Sequence, residues 1–258
     1  MEEKNDPPAG EEPITVESIF VRERNVLLVE ANFTPVYIDY YLHLMQHQIR
    51  YPAELDLKLK ELLAFLTLHA TARPWAESIA WTANLRAPRA NLFASASSTG
   101  EHIVGRLFTE DIRETSHDLL YSQTLVPEQE PRTSTVQIDG SSPREWMEAF
   151  YTASEQRPCR CFDLGDESYA LLAAQPDADR EWLAGLDVEA VKAIRQNETT
   201  KVLETRKFRY HCGCSLDRIL PILGSWRERP DELFQGASEI TIDCPRCGAH
   251  YTVTPDMI

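Results

Sequence analysis

Two close pairs of cysteines in the last quarter of the chain constrain its fold more than any other feature. The first pair is Cys212-Gly213-Cys214 and the second is Cys244-Pro245-Arg246-Cys247. Each pair offers two sulfurs from one tight turn, and together they supply the four ligands of a tetrahedral zinc site. A region of about fifty residues rarely folds stably without such a cross-link. The sequence therefore predicts one zinc ion bound by all four cysteines.

The charge of this region argues against a nucleic-acid-binding zinc module. Between Lys207 and His250 there are six basic and six acidic residues, and the whole chain carries a formal net charge of -15. Four thiolates would add further negative charge, so no basic face remains for a phosphate backbone. We expect no nucleic-acid partner. These charges do not distinguish a functional zinc ion from one that only stabilises the fold.

The one-residue gap between Cys212 and Cys214 also permits redox chemistry. Thiolates react with peroxide and hypochlorous acid, and a neighbouring cysteine can capture the oxidised sulfur as a disulfide. Such a site can be metal-bound when reduced and disulfide-bonded when oxidised. The spacing permits this switch without establishing it.

The rest of the chain predicts a mixture of helices and strands with no regular βαβ repeat and no internal repeat. A leucine stripe in the second helix is predicted to be core. This arrangement predicts an α+β fold with an N-terminal mixed sheet and packed helices. The predicted strands are 14–20, 26–30, 78–87, 91–97, 102–108, 159–164, 169–174 and 239–243. The predicted helices are 34–49, one starting near Pro52, 142–155, 180–186, 188–196, 216–223 and 230–234.

Composition divides the chain into four predicted parts. An acidic, proline-rich start predicts a disordered tail, and Gln175-Pro176-Asp177 marks the end of the large domain. The segment Asn197-Glu198-Thr199-Thr200 is predicted to be weakly structured. The parts are a tail (1–13), an N-terminal domain (14–176), a helical linker (177–206) and a small C-terminal zinc-binding domain (207–258).

Several segments resemble the heat-shock protein 33 family of chaperones. Members of that family end in a Cys-x-Cys-Ser motif, followed by Cys-x-x-Cys and an aromatic residue. Here Cys212–Ser215 matches the first motif, and Cys244–Tyr251 matches the second with its aromatic residue. Upstream, Tyr151–Pro158 is similar to the family's Tyr-Phe-x-x-Ser-Glu-Gln-x-Pro segment, and Ala173–Pro176 to the stretch that closes its N-terminal domain. The chain differs at Ser215-Leu216-Asp217-Arg218, and its linker is shorter and lacks the family's acidic stretch.

The resemblance implies a redox-regulated, ATP-independent holdase rather than an enzyme. In such a protein, oxidation forms the disulfides Cys212–Cys214 and Cys244–Cys247 and expels zinc. The linker then unfolds and exposes apolar surface that binds unfolding or aggregating client proteins during oxidative stress. A homodimer is possible, and the sequence does not decide the oligomeric state.

Two alternatives compete with this interpretation. One is a non-chaperone interaction protein stabilised by zinc. The other is a thiol oxidoreductase that uses Cys159 and Cys161, although two small residues on one face of a strand are more often simply packed.

The pair His43 and His47 lacks the glutamate of a His-Glu-x-x-His site. Two further histidines flank the cysteine pairs and could replace a ligand, namely His211 and His250.

The sequence also predicts the compartment. No apolar run approaches the length that a bilayer requires, and the first residues lack the basic and apolar stretches of a secretory signal. We therefore expect a cytoplasmic protein without a membrane partner.

Overall fold

The computed structural model describes residues 13–258, so the predicted tail lies outside the described residues except for Pro13. The predicted α+β class with a mixed sheet is confirmed. The strands are β1 (Ile14–Val21), β2 (Val26–Asn32), β3 (Ser78–Arg86), β4 (Arg89–Ser97), β5 (His102–Phe108), β6 (Leu119–Leu125), β7 (Arg132–Gln137), β8 (Cys159–Gly165), β9 (Ser168–Ala174), β10 (Thr200–Tyr210), β11 (Ile240–Asp243) and β12 (His250–Val253). The helices are α1 (Thr34–Gln46), α2 (Ala53–Thr71), α3 (Pro143–Phe150), α4 (Arg180–Gly185), α5 (Val188–Lys192), α6 (Ile194–Asn197), α7 (Leu216–Ile219) and α8 (Pro230–Phe234).

Ten strands form one sheet in the order β7-β6-β3-β4-β5-β10-β1-β2-β9-β8. Neighbouring strands are antiparallel except β5 and β10, which pair in parallel only at Arg209 with His102 and Tyr210 with Ile103. Strand β10 therefore joins two halves of the sheet at one end. The last residues of β10 lead directly into the first cysteine pair.

Helix α2 packs across both halves and forms the centre of the main core. Its leucine stripe is buried as predicted, because leucines at helical spacing face the apolar side of the strands. The stripe consists of Leu55, Leu59, Leu62, Leu63 and Leu66.

Helices α4, α5 and α6, which lie in the predicted linker, cover the opposite face of the second half of the sheet. Asp179 and Asp187 cap the first two of these helices by accepting hydrogen bonds from backbone N–H groups. The helices bury apolar side chains against β1, β2 and β9 in a second, smaller core. The helical contribution to this core is Leu183, Leu186, Val191 and Ile194.

The structure adds four strands that the sequence did not predict, β6, β7, β10 and β12. The segment predicted to be weakly structured instead ends α6 at Asn197 and begins β10 at Thr200, because β10 pairs with the whole of β1. Helix α1 ends at Gln46 rather than residue 49, and the predicted helix 142–155 changes after Phe150 into a π-helical turn. The domain boundaries stay a prediction, and β10 crosses the one at 206–207.

Among residues 13–258, no helix is both long enough and apolar enough to cross a membrane.

Candidate metal centre

The structure brings the four predicted ligand cysteines together. Cys212 and Cys214 follow the end of β10, while Cys244 and Cys247 lie in the turn that joins β11 to β12. The four Sγ atoms all lie within 4.8 Å of one another. Two distances join the two pairs, at 3.6 Å from the Cys212 sulfur to the Cys244 sulfur and 3.4 Å from the Cys214 sulfur to the Cys247 sulfur.

Glycines shape the turns that present the sulfurs. The backbone N–H of Gly248 donates to the Cys244 carbonyl at 2.9 Å, and the Cys244 N–H donates to the Ala249 carbonyl at 2.8 Å. Gly248 has φ +75° and Gly213 has φ +69°, in the left-handed region that favours glycine. These bonds close a tight loop, so we call residues 244–248 the second knuckle.

The donor set fits a tetrahedral dication. Sulfurs placed about 2.3 Å from zinc would lie about 3.8 Å apart, inside the range of spacings found here. Hydrogen bonding among the sulfurs, chiefly with Cys212, lowers the pKa of Cys214 to about 7 and raises the pKa of Cys212 itself. A dication would replace the shared protons, because four thiolates this close require positive charge between them.

The second knuckle rests on the N-terminal part of the chain. Arg106 of β5 donates to the Cys244 carbonyl at 2.6 Å and to the Asp243 carboxylate at 3.2 Å. Nε2 of His43 in α1 lies 3.0 Å from the Cys247 carbonyl, and it must be the donor because a carbonyl only accepts. Burial lowers the pKa of His43. Sequence reasoning missed these contacts because no local pattern links Arg106 with a cysteine 138 residues away.

The other predicted histidines stay outside the cluster. His250 pairs with Asp243 at 2.7 Å, and His43 and His47 have ring centres 4.8 Å apart. Within the described part of the chain, the four cysteines form the one group of three or more potential metal ligands. Tyr251 adds a hydrogen bond from its hydroxyl to the Cys214 sulfur at 3.1 Å.

Cys159 and Cys161 lie on β8 and face the main core. Both thiols are buried, and the Cys159 sulfur is 3.9 Å from the Met147 carbonyl. Burial raises the pKa of the Cys161 thiol, which keeps it protonated. Because an exchange reaction requires an accessible thiolate, this environment does not favour the oxidoreductase alternative.

The fold and the site define a class of protein: an α+β domain with a ten-stranded sheet, one strand of which, β10, leads into a four-cysteine candidate metal centre. The Hsp33 protein family model matches residues 163–254, a range that contains α4 to α6, β10 and all four cysteines. Together with the relatives described next, this match confirms the resemblance predicted from the sequence: the chain is similar to proteins of the Hsp33 family.

Two curated relatives carry the name 33 kDa chaperonin. The protein from Pectobacterium carotovorum is 28% identical over 155 residues, covering 50% of this chain and 54% of its own length. The protein from Nitrosococcus oceani is 23% identical over 143 residues, covering 47% of this chain and 50% of its own. The match thus spans about half the length of these relatives.

The fold is similar to a solved structure over almost its full length. The crystal structure of the 33 kDa chaperonin (heat shock protein 33 homolog) from Thermotoga maritima gives a TM-score of 0.73 and covers 96% of each chain. The identity is 13%, so this likeness concerns the fold alone.

Proposed function

We propose that the chain is a redox-regulated, ATP-independent holdase chaperone whose zinc centre senses oxidants. The cluster of four sulfurs within 4.8 Å carries this proposal. The curated relatives named chaperonin support its chaperone part. Oxidative stress in the cytoplasm is the proposed setting.

In the reduced state, one zinc ion is bound by Cys212, Cys214, Cys244 and Cys247. Bound there, the metal joins the end of β10 to the β11–β12 hairpin. The hairpin is only four residue pairs long, so it depends on this cross-link for stability.

Oxidation removes the thiolates that hold the metal. Peroxide converts one thiolate to a sulfenic acid, and the neighbouring thiol displaces water from it to form the disulfide. Forming each disulfide gives up two electrons to one peroxide, which takes up two protons and ends as two waters. The proposed pairs are Cys212–Cys214 and Cys244–Cys247, and Zn²⁺ leaves when both have formed. The close approach across the pairs, at 3.6 Å and 3.4 Å, makes Cys212–Cys244 and Cys214–Cys247 the competing result of disulfide mapping.

The surface proposed to bind clients lies beneath the linker helices. Strand β10 begins three residues after α6 and ends two residues before Cys212, so it connects the helices to the metal centre. Loss of zinc loosens the end of β10, and α4 to α6 then separate from β1, β2 and β9. The apolar side chains of both layers become available to unfolding proteins. Trp182 and Val188, now partly buried, add to this surface.

Light scattering of a heat-aggregating client tests the proposal. We expect little protection from the reduced, zinc-loaded protein, and strong protection after treatment with hypochlorous acid or with peroxide and mild heat. The double variant Cys159→Ser/Cys161→Ser should behave as wild type, whereas Cys244→Ser/Cys247→Ser should lose the zinc and the oxidant response. Size-exclusion chromatography of the same samples reports whether the active form is a homodimer. Full protection by the reduced protein would contradict redox control.

A specific observation favours the zinc-stabilised interaction protein as the second candidate. Cys244, Cys247 and Ala249 are buried in the main core, as expected for a metal that only stabilises packing. This candidate predicts that oxidation releases zinc while client protection stays absent in every state.

A further inference from the structure

The Cys244 carbonyl accepts hydrogen bonds from two directions. The Gly248 N–H reaches it from within the second knuckle at 2.9 Å, and Arg106 reaches it from β5 at 2.6 Å. The same guanidinium also holds Asp243, and its side chain is only 17% exposed. Because these bonds are charge-assisted and largely shielded from water, they are about twice as strong as neutral ones. Arg106 thus fixes the chain on both sides of the peptide bond that leads into Cys244.

His43 holds the other end of the second knuckle. Its ring donates to the Cys247 carbonyl at 3.0 Å from within α1. Its position is set by neighbouring rings, with centre distances of 5.5 Å to Tyr210 and 4.8 Å to His47. The backbone carbonyls of Cys244 and Cys247 therefore both accept hydrogen bonds from side chains that lie far upstream in the sequence.

The second knuckle packs closely against Ile49, which lies between α1 and α2, and against Arg106 of β5. A Cβ atom added at Gly248 would lie 3.2 Å from Cδ1 of Ile49 and 3.5 Å from Nε of Arg106. The turn of the first pair is braced differently. Arg218 donates to the Gly213 carbonyl at 2.6 Å and Arg246 to the Cys212 carbonyl at 3.5 Å, both from the C-terminal region.

From this asymmetry we propose that Arg106 and His43 are positioning residues of the zinc centre, through which the folded N-terminal region controls how tightly zinc is retained. The inference rests on the proposed zinc site and deepens its regulation. Neither residue is one of the four candidate cysteine ligands. They orient the peptide groups that carry two of the four sulfurs, and loss of such supporting contacts weakens metal binding by about 10- to 100-fold in other proteins.

Zinc competition against a chromogenic chelator tests the proposal in the full chain. We expect Arg106→Gln and His43→Ala to weaken zinc binding by about 10- to 100-fold and to accelerate its release by peroxide. His43→Gln should restore most of the affinity, because the glutamine amide can still donate to the Cys247 carbonyl. Arg86→Gln is the matched control, since Arg86 is an exposed arginine that pairs with Asp118.

A second measurement separates positioning from general stability. The zinc-free forms of the variants and of wild type should unfold at the same urea concentration, so the difference appears only with metal. Arg106→Lys keeps the charge but cannot reach both acceptors, and it replaces Arg106→Gln if that variant does not fold.

Two results would overturn the inference. Arg106→Gln could bind zinc as tightly as wild type, or His43→Gln could be as weak as His43→Ala. A wild-type protein without zinc would instead remove the proposed metal site itself, and this outcome is distinguishable from equal affinities.

Discussion

Truncation of Leu183 to alanine should release the linker helices without oxidation. Leu183 is the one fully buried side chain of α4, at 2% exposure, and it packs in the smaller core against the sheet. A buried leucine replaced by alanine costs about 2–5 kcal/mol. Because α4 to α6 contribute few buried side chains, this cost should fall on local opening of residues 180–197 rather than on the whole fold.

The free energy lost in Leu183→Ala determines how much the open state of the linker helices is populated. With about 1.4 kcal/mol for each factor of ten, a loss of 2 kcal/mol raises the open fraction of these helices by about 30-fold. Hydrogen exchange followed by mass spectrometry should show this acceleration in peptides from 180–197 and no change in α2. The matched control is Leu203→Ala on β10, where the side chain is 53% exposed.

The same variant tests whether the covered surface binds clients. Reduced, zinc-loaded Leu183→Ala protein should suppress aggregation of a heated client better than reduced wild type or the control variant. Unchanged exchange in 180–197 would show that Leu183 does not hold the helices. Faster exchange without any gain in protection would refute the proposed location of the client surface.

Three further predictions follow from other parts of the molecule. Burial lowers the pKa of His69 to about 3, so below about pH 6.5 the unfolded chain takes up a proton that the folded chain does not. Stability should therefore fall by about 1.4 kcal/mol per pH unit on acidification, and His69→Gln should remove that part of the slope in urea titrations at pH 7, 6 and 5. Removing zinc with a chelator should abolish hydrogen-exchange protection in 240–253 while α2 stays protected; equal loss in both would mean one cooperative unit. In native reduced protein, Cys159 and Cys161 should resist iodoacetamide because both are buried, and rapid labelling would contradict that placement.

The cysteine cluster was predictable because its members follow local rules. A short spacing within each pair, with glycine beside the cysteines, is enough to place two sulfurs on one turn. The leucine stripe of α2 was predictable for the same reason, since helical periodicity shows which face is buried. The cluster of sulfurs and the buried stripe both appear in the structure.

Strand β10 and the support of the second knuckle depend on distant partners instead. The sequence Thr200–Tyr210 carries many charges, and its burial alternates clearly only from Arg206 through Phe208 to Tyr210. Its partner β1 lies at the other end of the chain, so no local window contains the pairing. Likewise, nothing around Arg106 or His43 indicates that their acceptors are the carbonyls of Cys244 and Cys247.

Zinc content measured before and after oxidation, on the same samples used for client aggregation, tests the central proposal most directly. We predict close to one zinc per reduced chain, its release by peroxide with mild heat, and client protection that rises in proportion to the zinc released. Zinc that stays bound while protection appears, or zinc that leaves while protection remains absent, would contradict the proposed coupling of the metal centre to chaperone activity.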